Sequence, residues 1–190
     1  MDKEIAEKLL ALNREFYAAF AQSFAASRSI SDPALTAILP YIPSRARVLD
    51  VGCGNGRLAL LLNRERPGAT YLGLDAEPAL VWAARAQANR FTNVAAEFHV
   101  ADITQLDIAH WTLDIDNWSL ITCLATLHHI PSFSLRTRVL RDMAGLLYPG
   151  GRLILSTWQF LENERMRRKI VDWAEIDIAV EALEPGDYLL

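Results

Sequence analysis

The run "RVLDVGCGNGRLALLL" places three glycines at alternate positions, Gly52, Gly54 and Gly56, between a strand-like apolar stretch and a helix-like one. Glycine permits positive φ and lets a backbone approach a ligand closely, so such a loop can cradle a small molecule. Carboxylates surround it. Asp50 closes the strand-like stretch before the loop, Asp75 ends the next strand-like run, and Asp102 ends the third. An acid ending the second strand can accept hydrogen bonds from both hydroxyls of a ribose. Further along, "LATLHHI" offers His128 and His129 as bases. Neighbouring side chains of an extended segment point to opposite sides, so at most one ring is expected to face a pocket, and His128 is the candidate. Adjacent histidines are poorly placed to share one ion and no carboxylate cluster accompanies them, so no metal is expected. Cys53 and Cys123 read as small residues filling tight space.

Alternating elements must position these groups. Strand-like runs fall at Val48–Val51, Thr70–Leu74, Ala95–Val100, Leu120–Leu127 and Leu153–Thr157, with helical runs at 57–66, 78–90 and 134–147 between them. Such alternation implies an α/β fold with a mostly parallel sheet and helices on both faces. Ligands of these sheets bind beyond the carboxyl ends of the strands, where the strand order reverses, and the loop 52–56 follows the first strand. Residues 2–26 form an amphipathic pattern carried by Ile5, Leu9, Leu12, Phe16, Phe20 and Phe24. Asp32 and Pro33 predict the cap and first position of a short helix. Tyr148-Pro149-Gly150-Gly151 predicts a turn before the fifth strand.

A dinucleotide and an adenosyl cofactor share this layout up to a point. A pyrophosphate loop needs G-x-G-x-x-G, but here the third glycine comes one residue early and Arg57 takes the sixth position. Asp50 would repel a pyrophosphate yet attract a sulfonium and an α-ammonium. Asp102 is placed to accept from an adenine amino group. The three acids together favour a cationic adenosyl cofactor, S-adenosylmethionine.

The composition sets bounds. At 190 residues the chain has the length of one domain. The expected division is an N-terminal helical lid over 1–45, a cofactor-binding core over 46–160 and an incomplete C-terminal segment over 161–190. Apolar residues make up 52% of the chain, with no uninterrupted apolar run long enough to span a membrane, so no membrane association is expected. Two distant cysteines and no signal-peptide pattern fit a reducing cytoplasm. A net charge of −4 argues against a broadly basic nucleic-acid binder.

From Val48 to Trp158 the chain resembles the S-adenosylmethionine-dependent methyltransferases of Rossmann-like fold, on "LDVGCGNG", Asp75, "VADI", "LITCLATLHHI" and "LLYPGGRLIL". The resemblance implies that Gly52, Gly54 and the neighbouring backbone of Cys53, Asn55 and Gly56 hold the methionyl part. It also implies Asp75 with Ala76 at the ribose, Asp102 with Ile103 at the adenine, and Cys123 and Leu124 bordering the methionyl group. "FYAAFAQSFAASR" is similar to the N-terminal segment of the tRNA wobble-uridine carboxymethyl methyltransferases, and the tail from "WQF" onward looks like bacterial members. That likeness implies a tRNA acceptor, with Tyr17 and Arg28 over the pocket and Arg28 orienting a carboxylate. Small-molecule carboxylates or hydroxyls, or a non-catalytic partner subunit, stay open beside it.

The family fold has seven strands, and five are counted by Trp158. "GDYLL" reads as the start of a strand without a partner, so the last two strands are expected to be missing or truncated. The fifth strand would then expose an edge suited to a homodimer or a partner subunit.

Overall fold

A computed structural model describes residues 1–27, 32–105 and 118–190. Five strands form one sheet: β1 (Arg47–Val51), β2 (Thr70–Asp75), β3 (Ala95–Val100), β4 (Trp118–Leu124) and β5 (Leu147–Ser156). Their order is β3-β2-β1-β4-β5 and every pairing is parallel. The order reverses at β1, between β2 and β4, which puts the glycine loop at the switch point. Helices α3 (Arg57–Glu65), α4 (Pro78–Arg85) and α5 (Phe133–Gly145) pack on the sheet, the six-residue α2 (Pro33–Ile38) leads in, and α1 (Lys3–Ser27) lies against α4.

Alternation along the strands builds two cores. Val48, Tyr71, Phe98 and Leu120 face α2, α3 and α4, burying Leu58, Leu61, Leu62 and Val81. Leu49, Val51, Leu72, Leu74, Ile121 and Cys123 face the other way, against Val139 and Met143 of α5. A sheet buried on both faces requires strands that are apolar nearly throughout, and β1 and β4 are so. Asp32 caps α2, its carboxylate accepting from the Ala34 N–H at 2.9 Å with Pro33 next, as the sequence reading has it.

Three expectations change. The Pro149-Gly150-Gly151 turn lies inside β5, where pairing with β4 jumps from Trp118↔Leu147 to Leu120↔Arg152. Two residues of β4 therefore face several of β5, a bulge that the small and positive-φ residues allow. Helix α1 turns a different face inward than the aromatic stripe suggested: Phe16 and Phe20 are half exposed while Leu9 and Ala21 are buried. The fourth strand ends at Leu124, and Leu127–His129 form a 3₁₀ turn.

Residues 160–190 run as short turns, with one antiparallel bridge between Val171 and Leu189. They are tied to the body at the N-terminal half of α1 and at the start of α5. Lys8 Nζ donates to the Ile176 carbonyl at 2.8 Å, and Glu184 accepts from the Phe133 N–H at 2.6 Å and from Arg136 at 3.1 Å. Among the described residues no helix is long and apolar enough to cross a membrane.

Candidate active site

A cavity of about 450 Å³ opens at the carboxyl ends of β1, β2, β3 and β4 and is roofed by α1. Its floor is the glycine loop. Gly52, Gly54 and Gly56 all take positive φ, at 78°, 55° and 79°. They serve different ends. A Cβ on Gly52 would fall within 2.6 Å of Thr126 Cγ2, and one on Gly56 within 2.9 Å of the Phe98 ring. A Cβ on Gly54 would meet nothing within 4 Å, because that glycine faces the cavity. Gly73 in β2 makes room for the loop from below: a side chain there would strike Cys53 Sγ.

Asp75 pins the loop. Its Oδ2 accepts from the Gly54 N–H at 2.8 Å and its Oδ1 from the Glu77 N–H at 2.9 Å. Burial raises its pKa, opposed by those two N–H donors. Beyond β3, Asp102 Oδ1 accepts from both the N–H and the hydroxyl of Thr104, and its Oδ2 takes Arg14 of α1 at 3.0 Å.

Helix α1 is fastened over the cavity by one face at four-residue steps. Leu9 is buried, Asn13 donates to the His129 carbonyl at 2.9 Å, and the Tyr17 hydroxyl sits 2.8 Å from His129 Nε2. Which of that last pair donates depends on the imidazole tautomer. The two rings also meet edge-on at 5.3 Å. Polar Asn13 and Arg14 therefore belong to the inward face, which is why a purely apolar periodicity selected Phe16 and Phe20 instead. The spacing of Leu9, Asn13, Tyr17 and Ala21 was the signal available in the sequence.

Of the residues singled out from the sequence, Tyr17, Gly52, Cys53, Gly54, Asn55, Asp75, Ala76, Asp102, Ile103 and Leu124 line the cavity. Gly56, Cys123, Asp50 and His128 do not. Gly56 begins α3 behind the loop, and Cys123 is wholly buried in the core of the α5 face. Asp50 spends its carboxylate inside the protein: Oδ2 accepts from the Tyr71 hydroxyl at 2.6 Å and Oδ1 from the Thr122 hydroxyl at 2.7 Å. Burial lifts its pKa to about 6 against the two hydroxyl donors. It lies outside the cavity lining, beneath the loop, with both oxygens engaged by these hydroxyls. Arg28 lies outside the described residues.

The histidine that faces the cavity is His129. The two rings do not diverge as in a strand, because Leu127–His129 form a 3₁₀ turn, and their centroids stand 4.2 Å apart. His128 is half-buried beside Trp158, its Nδ1 has no hydrogen-bond partner among the described residues, and burial lowers its pKa. The sequence offered His129 beside His128 and the reading settled on His128; Asn13, Arg14 and Thr104 it missed.

The cavity fits S-adenosylmethionine. Gly54 leaves the clearance a methionyl chain requires, and part-buried Asp75 ends β2 where a ribose would lie. Asp102 and Ile103 line the cavity beyond β3, where an adenine would lie. Arg57, which occupies the position of a dinucleotide loop's last glycine, is engaged with Asp32 at 3.1 Å.

Residues 17–180 match the methyltransferase-domain family. The ubiquinone biosynthesis O-methyltransferase of Xanthomonas axonopodis pv. citri is 36% identical over 115 residues, 60% of this chain and 44% of that protein. The enzyme of the same name from Xanthomonas oryzae pv. oryzae is 37% identical over 124 residues, 48% of its length. The chain thus spans about half the length of the curated relatives it matches. The structure of an amino pentose methyltransferase from Micromonospora echinaspora with S-adenosylmethionine bound is 26% identical with a TM-score of 0.55, covering 75% of this chain and 56% of that one. Magnesium protoporphyrin IX methyltransferase from Synechocystis, 19% identical, shares the fold at a TM-score of 0.58 over 83% of both chains. Together with the glycine loop at the switch point of a parallel sheet, these likenesses show that the chain belongs to the S-adenosylmethionine-dependent methyltransferase family.

Proposed function

We propose that this domain transfers a methyl group from S-adenosylmethionine to a hydroxyl oxygen of a small-molecule acceptor. The observation that carries the reading is the 2.8 Å contact between Tyr17 and His129 on the cavity wall. An anionic carboxylate needs no base to accept a methyl group, whereas a hydroxyl does. The bound sulfonium supplies an electrophilic methyl group. Tyr17 and His129 supply the path for the proton: the acceptor hydroxyl gives its proton to the Tyr17 oxygen as the Tyr17 proton passes to His129 Nε2. One C–O bond forms as one S–CH3 bond breaks, and the proton ends on imidazole. Helix α1, held by Asn13, Arg14 and Tyr17, keeps water from the site and the reactants aligned. The named relatives that methylate oxygen support the same chemistry.

The test is release of S-adenosylhomocysteine with matched acceptors: catechols and phenols, aliphatic alcohols, aryl carboxylates, and tRNA bearing carboxymethyl-uridine. Turnover with hydroxyl acceptors that His129→Ala abolishes is the expected result. Turnover confined to the carboxymethyl group of tRNA, the acceptor implied by the likeness of Phe16–Arg28, would replace this reading. No turnover with any acceptor, despite cofactor binding, would point to a non-catalytic partner subunit.

A further inference from the structure

Five aromatic rings run in contact from the cavity wall to the protein surface. The series starts at His129, whose ring centroid is 4.2 Å from that of His128. His128 lies 6.1 Å from Trp158, Trp158 lies 6.4 Å from Phe160, and Phe160 meets Tyr188 edge-on at 5.5 Å. Most of these spacings fall in the range of interacting aromatic rings. The rings come from three separate stretches: the turn after β4, the segment leaving β5, and the far C-terminal segment. None of them belongs to either buried core cluster. Trp158 is 51% exposed and Tyr188 43% exposed, so the surface faces solvent where it leaves the cavity. Its outer end is held in place: the Val171–Leu189 bridge and the Glu184 contacts with Phe133 and Arg136 fix the chain on either side of Tyr188.

The cavity volume gives this surface a use. About 450 Å³ lies near the lower end of the roughly 300–1,000 Å³ that holds one drug-sized ligand. A cofactor occupying the Gly54, Asp75 and Asp102 end leaves little room for a second molecule. An acceptor whose oxygen reaches Tyr17 and His129 must therefore project out of the cavity beside His129, along the rings that start there. Flat π faces carrying an indole N–H and a phenolic O–H suit a planar, partly polar ring system better than a saturated one.

The geometry points to this aromatic surface as the binding site for the ring system of an aromatic methyl acceptor, stacked on Trp158 with its reacting hydroxyl at Tyr17 and His129. The assignment rests on the small-molecule O-methyl reading. Calorimetry on the protein loaded with S-adenosylhomocysteine tests it, using 2,3-dihydroxynaphthalene and its saturated counterpart, decalin-2,3-diol, as probes. The aromatic diol is expected to bind at least about tenfold more tightly than the saturated one, and Trp158→Ala to lower its affinity about five- to tenfold. Trp158→Phe is expected to retain most of it. S-adenosylhomocysteine affinity unchanged in both variants shows that the cofactor site is intact. Equal affinity for the two diols, no binding of the aromatic diol, or a Trp158→Ala variant that binds it like the wild type overturns the assignment. Failure of the O-methyl reading looks different: the diol binds in a Trp158-dependent way and is not methylated when S-adenosylmethionine is supplied.

Discussion

The Tyr17 hydroxyl lies 2.8 Å from Nε2 of His129, a contact between residues 112 apart in sequence that joins the roof of the cavity to its wall. If the pair moves the acceptor proton, His129→Ala lowers kcat about 100-fold or more, the usual scale for a lost general base. Tyr17→Phe, which keeps the ring and removes the relay oxygen, lowers kcat with a smaller effect on cofactor affinity and alters the pH–rate profile. His128→Ala leaves that profile in place, since its ring does not line the cavity. Steady-state kinetics across pH separates the three variants.

The glycines of the loop divide their work, so equal substitutions have unequal outcomes. Gly52→Ala drives a methyl group into Thr126 at a positive-φ position, and is expected to lower the unfolding midpoint markedly. Gly54→Ala meets no protein atom and costs only the αL strain, about 1 kcal/mol. Its methyl group enters the cavity, so the dominant loss is cofactor affinity. Thermal denaturation and calorimetry on the two variants, run side by side, would contradict this if Gly54→Ala bound S-adenosylmethionine normally.

Asp75 pins the Gly54 N–H and, as the cavity-lining acid that ends β2, is predicted to meet the ribose. Asp75→Ala is expected to weaken S-adenosylmethionine binding by about 2 kcal/mol or more through lost charge-assisted hydrogen bonds. Asp75→Asn retains an acceptor oxygen and loses less. Tight binding of a nicotinamide dinucleotide by the wild type, with none of S-adenosylmethionine, would sink the cofactor assignment.

Asp50 gives stability a pH dependence of definite sign. Its native pKa of about 6 exceeds the ordinary 3.8, so the folded state binds the extra proton. Its contribution therefore falls as pH rises from about 4 to about 6, by on the order of 3 kcal/mol at most. Asp50→Asn lacks this titration. Urea unfolding from pH 4 to 7 is expected to show the variant gaining on the wild type across that window, and parallel curves would show that Asp50 does not titrate there.

Three contacts from α1, those of Asn13, Arg14 and Tyr17, hold the roof closed. The Arg14–Asp102 pair is partly exposed, so solvent screening keeps its contribution to stability small. Arg14→Ala combined with Asn13→Ala is expected to leave the unfolding midpoint nearly unchanged while speeding both association and dissociation of S-adenosylmethionine in stopped-flow measurements. Unchanged rates would mean the cofactor enters without lifting α1.

The alternation of strands and helices was legible because buried parallel strands are nearly all apolar and stand apart from amphipathic helices even in one sequence. The loop was legible for a similar local reason: positive φ at three alternate positions demands glycine. Asp75 and Asp102 were legible because one ends β2 and the other follows the end of β3, and in a parallel sheet all strands end on one side. Long-range choices left no such local mark. The apolar periodicity of α1 could not show which face turns inward, because the inward face is set by polar partners in the segments that follow β3 and β4. Asp50 could not be separated from a ligand-binding acid until β2 and β4 brought the Tyr71 and Thr122 hydroxyls to it. His128 and His129 were indistinguishable in sequence. Their roles diverge because the chain leaves β4 as a 3₁₀ turn that carries His129 to Tyr17 and leaves His128 against Trp158. Secondary structure follows from neighbours along the chain, but the partners of a polar side chain are set by packing between elements far apart in it.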